Sequence, residues 1–167
     1  HRHLEAAGSE HEVVAVDAHP DYATSRWART HHPDRIVEVQ HHHAHIAAVM
    51  AEHECDPHQP VIGFAFDGTG YGDDGTIWGG EVLVADADGY ERVAHLAPVD
   101  LPGGDAAIRN PCRVALTHLR HAGVEWTDDL ASVRALQRSE LDVLDRQLER
   151  RVACVPTTSM GRLFDAV

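Results

Sequence analysis

The sequence contains no lysine, no closely spaced cysteine pair and no long apolar run, and each absence excludes a class of protein. Its 14 basic residues are all arginine, and 27 acidic residues give a net charge of -13 at pH 7, which argues against a nucleic-acid partner. No stretch approaches the roughly 18 to 20 apolar residues that span a bilayer, so no membrane association is expected. Cys55, Cys112 and Cys154 are far apart, which is typical of a reducing compartment without disulfides. We therefore expect a soluble, cytoplasmic protein.

The excess of carboxylates has two interpretations. Dense surface carboxylates repel one another at low ionic strength, and salt screens this repulsion over roughly 10 Å at 0.1 M. The composition therefore favours adaptation to a salty cytoplasm, as in a halophile, whereas the alternative is compositional drift in a GC-rich genome. With 167 residues, 43% of them hydrophobic, the chain can form one folded domain with a proper core.

Four histidines lie within five positions, directly after the strand-like run 35–40 and at the start of an apolar helical stretch. If the helix includes its first turn, His41 and His45 stand at i, i+4 and their ring nitrogens converge. Two neutral imidazoles at this spacing form half of a site for Zn, Fe, Cu or Ni. His42 and His43 point elsewhere on the helix and are expected to contact substrate or solvent.

A glycine-rich segment follows Asp67, which ends the next apolar run. Clustered glycines let backbone N–H groups approach a phosphate or an adenylate, although the segment has neither the Walker nor the Rossmann spacing. The alternative is a plain hairpin turn. An acidic residue at a strand end near a histidine pair is a natural third metal ligand, so Asp67 joins the predicted site.

A second glycine turn, Gly103-Gly104-Asp105, opens a later helix that carries Arg109. Helix amino ends attract anions, and an arginine can clamp a phosphate or carboxylate with two parallel hydrogen bonds. The alternative is an ordinary loop with a helix cap, and Arg162 has the same two interpretations.

The order of hydrophobic patterns predicts an α/β protein with a mixed sheet flanked by helices. The predicted strands are residues 12–17, 35–40, 61–66, 76–85 and 90–96. The predicted helices are residues 21–31, 41–54, 106–122, 130–139 and 140–149. Residues 68–75 are predicted to form a turn and residues 98–105 a loop.

Six sequence blocks, taken in order, resemble the HypF family of hydrogenase-maturation carbamoyltransferases. They are residues 17–22 (DAHPDY), 39–45 (VQHHHAH), 66–72 (FDGTGYG), 78–81 (WGGE), 101–105 (LPGGD) and 159–167 (SMGRLFDAV). The resemblance implies that residues 1–167 are the front part of the carboxy-terminal carbamoyltransferase domain, which is related to the tRNA threonylcarbamoyl transferases. It implies the actin/Hsp70/sugar-kinase fold, here as a partial domain. The acylphosphatase, zinc-finger and YrdC-like domains of that family are not represented in these residues.

The resemblance also implies a reaction. Carbamoyl phosphate and ATP would give carbamoyl-adenylate, and the carbamoyl group would pass to the carboxy-terminal cysteine thiol of a HypE-type maturation partner. Because the thiolate comes from that partner, no nucleophile of catalytic type is expected in this chain. The alternatives are a small-molecule O-carbamoyltransferase and a non-catalytic nucleotide- or metal-binding module.

Site residues are carried over by position. His41, His45 and Asp67 resemble ligands of a divalent metal, Zn or Fe, and a further family ligand is expected downstream of Val167. The expected nucleotide side comprises Gly68, Thr69, Gly70, Gly79, Gly80 and Glu81. The expected substrate contacts are His42, Gly103, Gly104, Asp105 and Arg109.

Overall fold

A computed structural model describes residues 13–167, which form two sheets with helices packed around them. The strands are β1 (Val14–Asp17), β2 (Ile36–Val39), β3 (Val61–Tyr71), β4 (Ile77–Ala85), β5 (Tyr90–His95), β6 (Val99–Pro102) and β7 (Cys154–Thr157). The helices are α1 (Ala23–His31), α2 (His41–Glu52), α3 (Asp105–Arg109), α4 (Pro111–His121), α5 (Ala131–Arg134), α6 (Arg138–Glu149) and α7 (Met160–Ala166), with a short 3₁₀ turn at Pro33–Arg35. The predicted α/β class is confirmed. Among residues 13–167, none of the helices combines the length and the apolar character that spanning a bilayer requires.

The first sheet consists of two parallel strands joined through α1. Asp17, the last residue of β1, pairs with Val39, the last residue of β2. Because the strands are parallel and end together, the residues that leave both carboxyl ends lie at one edge. This register brings Asp17 next to His41, the first residue of α2.

The second sheet is mixed. Its β3–β4–β5 part is the predicted antiparallel meander, and β4 continues to β7 and then β6. β4 and β7 are parallel, paired at Ile77 and Thr157, whereas β6 and β7 are antiparallel. The prediction of a loop over residues 98–105 was therefore wrong for β6, and β7 was missed. Both strands have four residues, and the prolines Pro102 and Pro156 obscure their pattern because proline cannot donate to a sheet ladder.

β3 extends beyond its predicted end and contains a bulge. Phe66 pairs with Gly80 and Gly70 pairs with Trp78, so residues 67–69 stand opposite the single residue Gly79. The prediction of a turn from residue 68 was wrong because the strand resumes at Gly70 and ends at Tyr71, and the turn covers residues 72–76. A bulge bends its strand and re-aims side chains, and this one carries Asp67.

α2 begins at His41 because Gln40 caps it. The Gln40 side-chain oxygen accepts the backbone N–H groups of His42 and His43, which have no partner within the helix. Further along, Ile46 and Met50 are buried against the meander, in a core with Ala65, Leu83 and Ala85. The cap and the apolar face together fix both the start and the rotation of the helix, and therefore the direction of its histidines.

The helical part differs from the prediction in two places. The helix expected at 106–122 is split at Asn110, since Pro111 starts a new helix and has no N–H to continue the old one. The helix expected at 130–139 is reduced to Ala131–Arg134, and α6 begins at Arg138. A second core holds these helices together through Leu116, Val133, Leu141, Leu144 and Leu148.

Candidate metal centre

Three predicted ligands converge where α2 passes the β3 bulge. His41 Nε2 lies 2.9 Å from Asp67 Oδ2 and 3.1 Å from His45 Nε2. One ligand atom from each of the three residues lies within 4.8 Å of the others. Ligand atoms about 2.0–2.2 Å from a tetrahedral cation are themselves about 3.3–3.6 Å apart, so small shifts from this spacing would suit one cation. The arrangement fits the predicted site, and metal binding itself stays a prediction.

A fourth residue, Asp17, supports the cluster and was not identified from the sequence. Its Oδ2 lies 2.9 Å from His41 Nδ1, on the side of the ring away from Asp67. Metal-binding histidines almost always donate their second ring N–H to such a group. A signal for Asp17 was present in the sequence: the first predicted strand ends at Asp17, and the second ends just before His41.

The protonation pattern of this cluster favours a cation. Both ring nitrogens of His41 face a carboxylate oxygen, Nδ1 that of Asp17 and Nε2 that of Asp67. A cation bound at Nε2 would leave Nδ1 as the donor to Asp17. Burial raises the pKa of Asp67, but the Gly68 N–H and the His41 ring outweigh it and lower that pKa. An ionised carboxylate and two imidazole nitrogens are a donor set that suits Zn or Fe.

His42 is placed beneath the site and not at its surface. Its side chain is fully buried, and its Nδ1 lies 3.2 Å from Gln40 Nε2. Its Nε2 is 4.0 Å from Asp67 Oδ2 and has no hydrogen-bond partner within the described residues. Burial, followed by the neighbouring His41, lowers the pKa of His42 to about 4, so this ring is neutral at physiological pH. His43 instead contacts the Asp86 carbonyl, at 2.7 Å from Nε2.

The glycines of the predicted nucleotide hairpin are packed against protein atoms. A Cβ on Gly70 would lie 2.9 Å from His41 Cδ2 and closer still to His42. A Cβ on Gly79 would overlap the Asp67 carbonyl, and one on Gly161 would lie 2.6 Å from the Gly68 Cα. These glycines therefore permit close approach of α2, β4 and α7 to the bulge that carries Asp67.

Glu81 is also turned inwards. Its side chain is fully buried and accepts hydrogen bonds from Arg92 Nε at 2.6 Å, from Thr158 and from the Gly79 and Gly80 N–H groups. Burial raises its pKa, but the Arg92 guanidinium and the Thr158 hydroxyl outweigh it, so the pKa of Glu81 lies below its usual range. Both carboxylate oxygens are engaged by the protein, and Glu81 thus joins β4 to the segment before α7.

The segment before α7 also contacts Asp67. Ser159 Oγ lies 2.7 Å from the Asp67 carbonyl oxygen, and it caps α7 by accepting the Arg162 N–H. The Arg162 guanidinium lies over Gly68, 3.2 Å from the position that a Cβ would take, and pairs with Asp165 at 2.7 Å. Contacts with β4 and with the residues at the start of α7 therefore fix the backbone of the bulge.

The second glycine turn lies apart from this cluster in its contacts. Gly103 donates its N–H to the Ala153 carbonyl at 2.8 Å, and both Gly103 and Gly104 have positive φ. The side chains of Asp105 and Arg109 are 85% and 75% exposed and approach each other at 3.9 Å. The described contacts give this turn the geometry of a loop and do not join it to the histidines.

A groove of about 450 Å³ opens beside His45 and Asp67. His45 and Asp67 lie at one end, and the groove continues between α2 and β3 past Val49, Phe64 and Phe66. His45 lines this groove and is exposed, so solvent reaches its side chain there.

Comparison with known families gives two matches along the chain. Residues 1–52 match the model described as the HypF Kae1-like domain. Residues 63–167 match the model described as the second subdomain of the carbamoyltransferase, Kae1-like domain. Both matches are to parts of the HypF Kae1-like domain, which confirms the fold expected from the resemblance.

Individual relatives give the same result. The chain is 42% identical over 158 residues to carbamoyltransferase HypF2 of Cupriavidus necator, which covers 93% of this chain and 19% of that protein. It is 44% identical to carbamoyltransferase HypF of Rhodobacter capsulatus, covering 93% of this chain and 21% of that protein. The crystal structure of full-length HypF in the phosphate- and nucleotide-bound form superposes with a TM-score of 0.85 at 40% identity, covering 99% of this chain and 22% of that one. The chain thus spans about a fifth of the length of these proteins.

Proposed function

This chain belongs to the HypF family of carbamoyltransferases, and from that premise we propose that it forms the metal-binding part of a carbamoyl-transfer site. The observation that carries the proposal is the convergence of His41, His45 and Asp67 on one point, with Asp17 behind His41. The family resemblance and the geometry therefore indicate the same residues.

We further propose the substrates. The reaction would consume carbamoyl phosphate and ATP through carbamoyl-adenylate, and the acceptor would be the carboxy-terminal cysteine of a HypE-type partner. The acceptor thiolate would attack the carbamoyl carbon, a C–S bond would form, and the C–O bond to the phosphate would break with release of AMP. The names of the relatives support carbamoyl transfer, and the phosphate- and nucleotide-bound state of the solved HypF supports a nucleotide.

The residues of this chain have distinct proposed tasks. His41, His45 and Asp67 would hold a divalent cation, Zn or Fe, which when bound supplies a Lewis acid that polarises the carbamoyl carbonyl. The proposal needs no nucleophile from this chain, because the attacking thiolate comes from the acceptor.

The hairpin residues divide into two groups. Gly68 and Thr69 remain our proposal for the nucleotide side, since Thr69 is exposed at the bulge. Gly70, which the resemblance also places there, is buried against His41 and His42 and is proposed to permit that packing. Glu81, which the resemblance also places there, is proposed to act from within by holding Gly79, Gly80 and Thr158 behind Asp67. Its removal would loosen the site without removing a contact to the nucleotide.

Transfer can be measured directly with the intact protein. It is incubated with ATP, carbamoyl phosphate and a synthetic peptide that ends in cysteine, and mass spectrometry detects the carbamoylated peptide. We expect His41→Ala and His45→Ala to reduce transfer by at least about 100-fold, because misplacing the reacting groups by about 1 Å can cost that much.

The matched control is His58→Ala, whose side chain is 72% exposed and pairs only with Asp88 in the described structure. Normal transfer by His58→Ala together with loss in the two ligand variants supports the proposal. Full transfer by His41→Ala would overturn the metal-site role. Metal binding without transfer by the wild-type protein would instead favour a non-catalytic module.

A further inference from the structure

We propose that the adjacent histidines His41 and His42 are held in opposite tautomers, so that His41 is a ligand and His42 is a hydrogen-bond donor to Asp67. This inference rests on the proposed metal site and assigns the supporting roles to Asp17 and Gln40. Asp17 contacts Nδ1 of His41, and Gln40 contacts Nδ1 of His42.

Asp17 determines the tautomer of His41. Its Oδ1 is already occupied, because it accepts the His19 N–H at 2.8 Å, and its Oδ2 faces His41 Nδ1 at 2.9 Å. An ionised carboxylate can only accept, so the nitrogen facing it must carry the proton. The other nitrogen, Nε2, also faces a carboxylate in this structure, Asp67 Oδ2 at 2.9 Å. A bound cation would take the place of the proton on Nε2, so in the loaded protein Nδ1 keeps its proton and Nε2 presents its lone pair, as a ligand requires.

Gln40 determines the tautomer of His42. Its side-chain oxygen accepts two backbone N–H groups, from His42 at 2.6 Å and from His43 at 2.9 Å, and this fixes the orientation of the amide. The NH₂ end therefore points the other way, towards the Tyr71 carbonyl at 3.1 Å and His42 Nδ1 at 3.2 Å. An amide NH₂ can only donate, so Nδ1 of His42 accepts and its proton lies on Nε2.

The Nε2–H of His42 is fully buried and has no hydrogen-bond partner within the described residues. Asp67 Oδ2, at 4.0 Å, is about 1 Å beyond a normal N–H···O distance. In this structure the same oxygen lies 2.9 Å from His41 Nε2. In the loaded protein His41 Nε2 would bind the cation, and the oxygen could then accept from His42. His42 is thereby a positioning residue that donates to the Asp67 carboxylate.

The test uses Zn(II) affinity of the intact protein, measured by competition with a chelator, and the visible spectrum of the Co(II)-loaded protein. Glutamine places an amide nitrogen at the position of the histidine Nε2, whereas asparagine places it at the position of Nδ1. We expect His42→Gln to retain the wild-type affinity within about threefold, and His42→Asn to bind Zn(II) about 10- to 100-fold more weakly. Equal losses in both variants, with an altered Co(II) spectrum, would overturn the donor role, because a ligand or a packing residue would behave that way.

Asp17 is tested in the same assay. We expect Asp17→Ala to weaken Zn(II) binding about 10- to 100-fold, and Asp17→Asn to lie between it and wild type because the amide oxygen can still accept. Asp21→Asn, a change at an exposed carboxylate of the same loop, is the matched control. Wild-type affinity in Asp17→Ala would overturn this inference alone, whereas the absence of Zn(II) binding by the wild-type protein would overturn the metal site itself.

Discussion

Gly70→Ala is the substitution that best separates a role of Gly70 in nucleotide approach from a role in its packing against His41 and His42. If Gly70 is needed for close approach of a nucleotide, a methyl group there should weaken nucleotide binding and leave the metal site intact. The structure indicates the opposite, since a Cβ at Gly70 would lie 2.9 Å from both His41 Cδ2 and His42 Nε2 and closer still to His42 Cε1. We therefore expect the variant to act on the metal ligands.

The size of the effect follows from where the clash can be relieved. Gly70 pairs with Trp78 in the sheet, so β3 cannot easily move away from α2. Either the imidazole rings move, or the clash remains and destabilises the fold. Forcing an extra methyl into a packed interior costs about 1–3 kcal/mol. If the rings move, the same energy appears as a loss of about 5- to 150-fold in metal affinity, at 1.4 kcal/mol per tenfold. If they do not move, it appears as a lower free energy of unfolding.

Both quantities are measured on the same intact protein, by Zn(II) competition and by denaturant unfolding. Gly89→Ala is the matched control, because a Cβ there meets no atom within 4 Å. Gly70→Ala should lose at least about 1 kcal/mol in the sum of the two measurements, while Gly89→Ala should lose less than half of that. A Gly70→Ala protein with unchanged stability and unchanged Zn(II) affinity, but weakened nucleotide binding, would refute the reasoning.

Three further predictions concern charge. Arg92→Ala should lower the free energy of unfolding by about 3–5 kcal/mol in a denaturant titration, because it leaves the buried Glu81 carboxylate without its cation. Arg138→Ala, the control, breaks only a surface pair and should cost under about 1 kcal/mol in the same titration. The pKa of Glu81 is lower in the folded protein than its usual value of 4.5, so its contribution to stability is present above that pH and is lost as the pH falls below it. Unfolding measured across this acidic range should therefore be less steeply pH-dependent in Glu81→Gln, and an unchanged slope would contradict the assignment. Finally, the 27 acidic residues predict a melting temperature that rises from low to multimolar KCl, and a flat or falling one would leave compositional drift as the explanation.

Several features of the fold and the site were predictable because they depend on short-range periodicity. The i, i+4 spacing determines that His41 and His45 share a helix face once the helix begins at His41, and the cap by Gln40 that starts it is itself local. The alternation along β3 and β4 determines the meander, and the end of an apolar run indicates Asp67 as the third side chain. The family resemblance was also contained in short blocks of sequence, and the comparisons confirmed it.

Other features were decided only by contacts between distant parts of the chain. The bulge that aims Asp67 at α2 requires β4 as a partner, and no local pattern shows that residues 67–69 face one residue. β7 is a strand because it pairs with β4 and β6. Its four residues include a proline, and their hydrophobic pattern is too short to predict a strand from the sequence.

The protonation of the site is the clearest case. The i, i+4 spacing favours His41 over His42 as a metal ligand, but no sequence rule shows which ring nitrogen of either histidine carries the proton. Asp17 reaches His41 through the pairing of two parallel strands, and Gln40 turns its amide towards His42 because the helix end takes its oxygen. A hydrogen-bond partner on the second ring nitrogen decides which nitrogen faces the site, and only the tertiary structure supplies those partners.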